Sequence, residues 1–147
     1  MQEISLKESL FPAQSSSPVW EISIGEKLRE MTALNPAAPA LVEVTVEGVT
    51  ERRWTYGELL ADAEQLAEAL STRFAPGERV VVWAHNIPEW VLMEYACALS
   101  GLVLVTANPA FQPKELRYVL EQSGAVALFL VESYRGNPIA EIGREAT

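Results

Sequence analysis

From Arg79 to Val131 the chain alternates between short apolar runs and stretches of helical periodicity. Arg79 to Ala84, Arg-Val-Val-Val-Trp-Ala, reads as a buried strand. Pro88 to Leu99 reads as a helix, with Pro88 in the first turn, where its missing N–H would have no partner anyway. Gly101 fits the left-handed residue that follows a helix. Leu102 to Thr106 is a second buried strand. Pro113 to Gln122 is a second helix, with Leu116, Val119 and Leu120 facing inward and Gly124 beyond its end. Ala125 to Val131 is a third strand. Strands that are apolar throughout are covered on both faces. The pattern predicts an α/β fold built on a parallel βαβαβ unit with right-handed crossovers.

The residues before this unit are less regular. Residues 1 to 19 carry little periodic signal, Gln14 to Pro18 reads as a polar loop, and residues 1–21 are taken as an N-terminal extension. Ile22 to Met31, with apolar residues at 24, 28 and 31, predicts a short amphipathic helix ended by Asn35-Pro36 and Pro39. Ala40 to Val46 and Thr50 to Trp54 predict a hairpin turning at Glu47-Gly48. Thr55 then opens the clearest helix. Thr55 and Glu58 stand at the capping-box spacing, in which each side chain serves the other residue's backbone N–H. Apolar residues at 56, 59, 60, 63, 66, 67, 70 and 74 make one stripe, and Pro76-Gly77 closes the segment. Asn137 to Ala146 predicts a further helix.

Charge and composition narrow the partners. With 20 acidic and 11 basic residues the net charge is −9, and the only adjacent basic pair is Arg52-Arg53. A nucleic-acid binder needs a positive stripe to displace counterions, so nucleic acid is not an expected partner. Trp90 to Ala107 holds 18 residues with one charge, Glu94, yet Ser100-Gly101 interrupts it and β-branched residues follow. A membrane span needs about 20 apolar residues in continuous helix, so helix, turn and strand is the expected reading, with no transmembrane segment. Cys97 is the only cysteine, and the first residues lack a basic-then-apolar pattern. Both suit a cytoplasmic protein.

The search for reacting groups finds none. The eight glycines stand at 25, 48, 57, 77, 101, 124, 136 and 143, never closer than seven residues, so neither the dinucleotide fingerprint nor a Gly-Lys phosphate loop is present. His85, the only histidine, follows a buried strand, where catalytic groups of α/β sheets gather. The competing reading is a loop-packing imidazole. A hydrolase built on His85 would require a serine or cysteine close to it in space. Cys97 sits mid-helix among apolar neighbours and reads as a small core residue. One cysteine and one histidine cannot supply a zinc site, and the dispersed acidic residues read as solvated surface. Trp83, Trp90, Tyr95 and Phe111 could line an acyl pocket, although apolar residues at such spacings are more often core.

Five segments in order carry a resemblance. Trp54-Thr55-Tyr56-Gly57-Glu58-Leu59 resembles the (L/W)-T-Y-x-E-L opening motif of adenylate-forming enzymes. Pro76-Gly77-Glu78-Arg79-Val80 is similar to their G-D-R-V segment, with Glu for Asp, and Asn86-Ile87-Pro88-Glu89-Trp90 to their N-x-x-E-W segment. Ala98-Leu99-Ser100-Gly101 with Thr106-Ala107-Asn108-Pro109-Ala110-Phe111 is similar to the second, N-P-containing motif. Glu115-Leu116, Val119-Leu120 and Ser123-Gly124 continue it. They stand in order within residues 22 to 131, and the Asn-Pro-Ala-Phe form leans toward fatty acyl-CoA synthetases.

The resemblance implies ATP, CoA and magnesium as cofactors and a carboxylic acid as substrate. The matching segments are scaffold in that family. Its Ser/Thr/Gly-rich phosphate loop, Tyr-Gly-x-Thr-Glu segment, ribose-binding aspartate and C-terminal lysine have no counterpart here. The expectation is therefore a partial domain over residues 22–147, truncated before the phosphate loop, with no catalytic, cofactor-binding or metal-binding residue to assign. It would be inactive alone and could associate with a chain carrying the missing parts. The alternative is a non-catalytic α/β interaction module. A half-built sheet is also expected to expose unpaired edges and one apolar face.

Overall fold

The structure, a computed structural model, describes residues 19–45 and 47–147. The expected loop at Gln14–Pro18, residues 1–18 of the extension, and Val46 lie outside the described residues. The elements follow as α1 (Ile24–Leu34), β1 (Pro39–Val44), β2 (Thr50–Thr55), α2 (Tyr56–Ser71) and β3 (Arg79–Trp83). They continue as α3 (Pro88–Ser100), β4 (Val103–Ala107), α4 (Pro113–Ser123), β5 (Ala127–Leu130) and α5 (Ile139–Ala146).

Local chemistry sets the helix starts. Thr55 Oγ1 accepts from the Glu58 N–H at 3.2 Å, and the Glu58 carboxylate accepts from the Thr55 N–H at 2.8 Å, so two otherwise orphaned donors are satisfied. Ser23 and Glu26 repeat the arrangement at the start of α1, with both bonds at 3.1 Å. That helix runs to Leu34, beyond the expected end at Met31, and stops where the Asn35 N–H donates to the Met31 carbonyl at 3.0 Å. α3 ends at Gly101, whose φ of 73° is open to glycine at little cost.

β1 and β2 pair antiparallel as the expected hairpin. β3 lies at the centre of a parallel sheet of order β4-β3-β5. Side chains alternate across a strand, and β3 uses both faces. Val80 and Val82 enter a core with Ala67 and Leu70 of α2 and Met93, Ala96 and Cys97 of α3. Val81 and Trp83 enter a second core with Leu116 of α4 and Ile139, Ile142 and Ala146 of α5. Val80 to Trp83 are consequently all buried, which is why this run is apolar without alternation. Each fully buried Val, Leu or Ile contributes about 1.5–3 kcal/mol. A third cluster of Leu28, Leu59 and Ala63 seats α1 against α2, with Leu41 and Trp54 of the hairpin packed on it.

The expectation of one bare apolar sheet face is not met. α2 and α3 cover one face and α4 and α5 the other. The outer edges of β4 and β5 have no strand partner among the described residues.

Candidate functional site

Ligands of open α/β sheets gather outside the carboxyl ends of the strands, at the point where neighbouring strands send their connections to opposite faces. β3 and β5 are such a pair: β3 leads into α3 on one face, β5 into α5 on the other. The loops after β3, β4 and β5 meet there. The His85 ring stacks on the Tyr134 ring with centroids 5.2 Å apart and planes at 22°. His85 Nδ1 is buried and has no hydrogen-bond partner among the described residues. Trp83, wholly buried, donates from Nε1 to the Asn108 carbonyl at 2.6 Å. Asn108 Oδ1 accepts from the Ala110 N–H at 2.9 Å, shaping the β4–α4 loop. Asn137 Nδ2 donates to the Pro109 carbonyl at 3.2 Å and ties this loop to the one after β5.

That last loop is a tight turn. Tyr134 and Asn137 exchange two backbone hydrogen bonds of 3.0 and 2.8 Å. Between them Arg135 has φ 48° and Gly136 φ 81°. The left-handed region is open to glycine but costs an ordinary residue about 1–2 kcal/mol. The Arg135 guanidinium lies 5.2 Å from the Tyr134 ring centroid. Gly136 and Asn137-Pro138 are the sequence signals for this turn, and the helix expected from Asn137 overran them, since α5 begins at Ile139.

The candidates from the sequence scatter. The neighbour of His85 is a phenol ring, and its buried nitrogen is paired with no hydroxyl or thiol among the described residues. Cys97 is buried in the α3 core, and burial pushes its thiol up to about 11, so the nucleophilic thiolate is not formed near neutral pH. The four aromatics do not line one pocket. Trp83 and Phe111 share the core under α4 and α5. Tyr95 packs on the cluster between α1 and α2. Trp90 lines a groove of about 260 Å³ between β1 and α3, with Leu41, Val42, Ile87, Pro88 and Val91. At its rim Arg52 donates to Glu43 at 2.5 and 3.1 Å and also to Glu89 at the start of α3. The Arg52 guanidinium holds both carboxyls below their ordinary range. Among the described residues no three His, Cys, Asp or Glu side chains group to hold a metal. No helix among them is long and apolar enough to cross a membrane. The arrangement supplies a packed frame and a shaped set of loops, with no paired nucleophile and base among the described residues.

Comparison with known proteins gives this frame its context. A family model described as AMP-binding enzyme matches residues 28–146. The medium-chain acyl-CoA ligase ACSF2 of Pongo abelii is 36% identical over 114 residues, which cover 77% of this chain and 18% of that one. The acyl-CoA ligase SID4 of Ajellomyces capsulatus is 34% identical over 114 residues, 77% of this chain and 19% of that one. Among solved structures, the N-terminal domain of FACL13 from Mycobacterium tuberculosis superposes with a TM-score of 0.67 at 25% identity, covering 80% of this chain and 32% of that one. The chain thus spans about a fifth of the length of the curated relatives it matches. The five sequence segments fall largely within the matched region and take the expected strand, helix and turn positions. The chain belongs to the AMP-binding enzyme family.

Proposed function

We propose that residues 22–147 form a structural part of the large N-terminal domain of an AMP-forming acyl-CoA ligase, preceded by an extension at 1–21. In such a reaction a fatty carboxylate attacks the α-phosphate of ATP, giving acyl-adenylate and pyrophosphate. The CoA thiolate then displaces AMP. One observation carries this reading: the family match over residues 28–146, with 36% identity to a medium-chain acyl-CoA ligase across 77% of the chain.

The residues here serve that reaction as a frame. Val80 to Trp83 fix the sheet between two helix layers, and the Trp83–Asn108 and Asn137–Pro109 bonds set the loops at its carboxyl end. We assign no catalytic, cofactor-binding or metal-binding role to any of them. Magnesium would balance the phosphate charge of ATP. No cluster among the described residues fits it. ATP and CoA are held in this reading by parts of the domain supplied outside these residues. A cytoplasmic setting fits the single buried thiol.

Supplying those parts tests the proposal. The human medium-chain acyl-CoA ligase ACSF2 is 30% identical over 131 residues, 21% of its length. We expect that enzyme, deleted of the matching segment, to bind this chain and regain ATP–pyrophosphate exchange with medium-chain acids. A stable complex without exchange would count against the reading.

A further inference from the structure

One peptide group of the β4–α4 loop is held at both ends by side chains. The Pro109 carbonyl accepts from Asn137 Nδ2 at 3.2 Å. The Ala110 N–H, on the other side of the same peptide, donates to Asn108 Oδ1 at 2.9 Å. A peptide unit is planar and moves by turning about the single bonds that flank it. Bonds to both its oxygen and its N–H stop that turning. The preceding carbonyl, of Asn108, is fixed as well: it accepts from Trp83 Nε1 at 2.6 Å and from the Phe111 N–H at 2.9 Å.

Of these tethers only Asn137 comes from the loop after β5, and the turn that carries it aims it. Asn137 and Tyr134 exchange two backbone hydrogen bonds, and the Asn137 carbonyl also accepts from the Ile139 N–H at 3.0 Å. The Ala140 N–H donates to the Glu132 carbonyl at 3.1 Å and closes the loop onto α5. Inside the turn Arg135 stands at φ 48°, a conformation that persists in an ordinary residue only where its surroundings over-determine it, and such residues concentrate at functional sites. Asn137 and Pro109 are both half-buried, at the carboxyl end of the sheet where ligands of open α/β folds bind. A bond between neutral groups there adds modestly to stability; what it fixes is direction.

We propose that Asn137 is a positioning residue of the ligase reaction: by holding the Pro109 carbonyl it sets the β4–α4 loop against a substrate received at this end of the sheet. It acts through the 109–110 peptide and not on reacting atoms. The inference rests on the reading of this chain as part of an AMP-forming acyl-CoA ligase.

Two measurements on Asn137→Ala and Asn137→Asp test it. The second variant keeps the shape of the side chain and loses the donor, so it decides if the first does not fold; if neither folds, Asn137 is a folding residue and the proposal falls. In the 147-residue chain the Ala110 and Phe111 amides exchange about tenfold faster in the variants, while those of Val81 and Val82 in β3 keep their rates. In the ligase rebuilt from this chain and the human enzyme deleted of its matching segment, KM is measured for ATP, acid and CoA. The KM of the substrate that meets the loop rises on the order of tenfold. Thr55→Ala, weakened at a helix cap outside these loops, is the control: loss of folded protein lowers the maximal rate and leaves every KM alone. Unchanged exchange at Ala110 and Phe111 overturns the proposal. Three KM values within about twofold of wild type in an active complex overturn the positioning role alone and leave the ligase reading standing. A wild-type complex that regains no activity ends both.

Discussion

Thr55 and Glu58 each satisfy the other's backbone N–H at the start of α2. Removing the hydroxyl in Thr55→Ala should cost about 1 kcal/mol of stability, read from urea unfolding with an unchanged slope. The same bonds hold the Glu58 carboxyl below its ordinary value of 4.5, and Ser23 does the same for Glu26. A folded-state value below the unfolded one adds stability that is present above about pH 4.5 and is lost as pH falls through the folded value. Stability measured from pH 7 down to pH 3 should fall, and Thr55→Ala should flatten the Glu58 part of that fall. Trp83 poses a different problem. It is wholly buried and satisfies the Asn108 carbonyl at 2.6 Å. In Trp83→Phe that carbonyl loses its partner, which alone costs about 1–3 kcal/mol, before any cavity. A lowered thermal midpoint checks it. The Thr55–Glu58 cap was legible because its two residues lie three apart and precede an apolar stripe. Ser23–Glu26 has the same spacing but a fainter stripe behind it, and went unread. The Trp83–Asn108 bond and the His85–Tyr134 stack join residues distant in sequence, and no local period announces such contacts.

At the scale of elements, the hairpin is attached to the parallel unit by packing and by Arg52, which bridges Glu43 of β1 and Glu89 of α3. All three groups reach solvent, so Arg52→Gln should change global stability little. Its effect should appear locally, as faster amide exchange in β1 and β2. Salt at 1 M shortens the screening length to about 3 Å and should bring the wild-type hairpin close to the variant. Every expected helix and strand among the described residues is present, because binary pattern and caps are local signals. The ends moved where tertiary contacts decide them. β5 shortens to Ala127–Leu130 along its pairing with Val80–Trp83, and α5 begins at Ile139, after the Tyr134–Asn137 turn.

For the molecule as a whole, β3 is the organising strand. Its neighbours lie on either side and its side chains feed two cores, so helices cover both sheet faces while, among the described residues, both edges stay open. Strand order was not legible in the sequence, since periodicity says what lies inside and not which strand lies next to which. The open edges followed from the parallel class; the covered second face required knowing that α4 and α5 share a side. The four aromatics weighed as pocket lining go to separate places, Trp83 and Phe111 to one core, Tyr95 to another and Trp90 to the groove beside β1, in keeping with the more frequent core reading of such spacings. On the proposed reading, these residues frame a reaction whose acting groups lie elsewhere in the family's domain. The most direct test of that reading is ATP–pyrophosphate exchange by the purified 147-residue chain with medium- and long-chain fatty acids. No exchange above background is expected at any chain length; sustained turnover by this chain alone would overturn the proposed function.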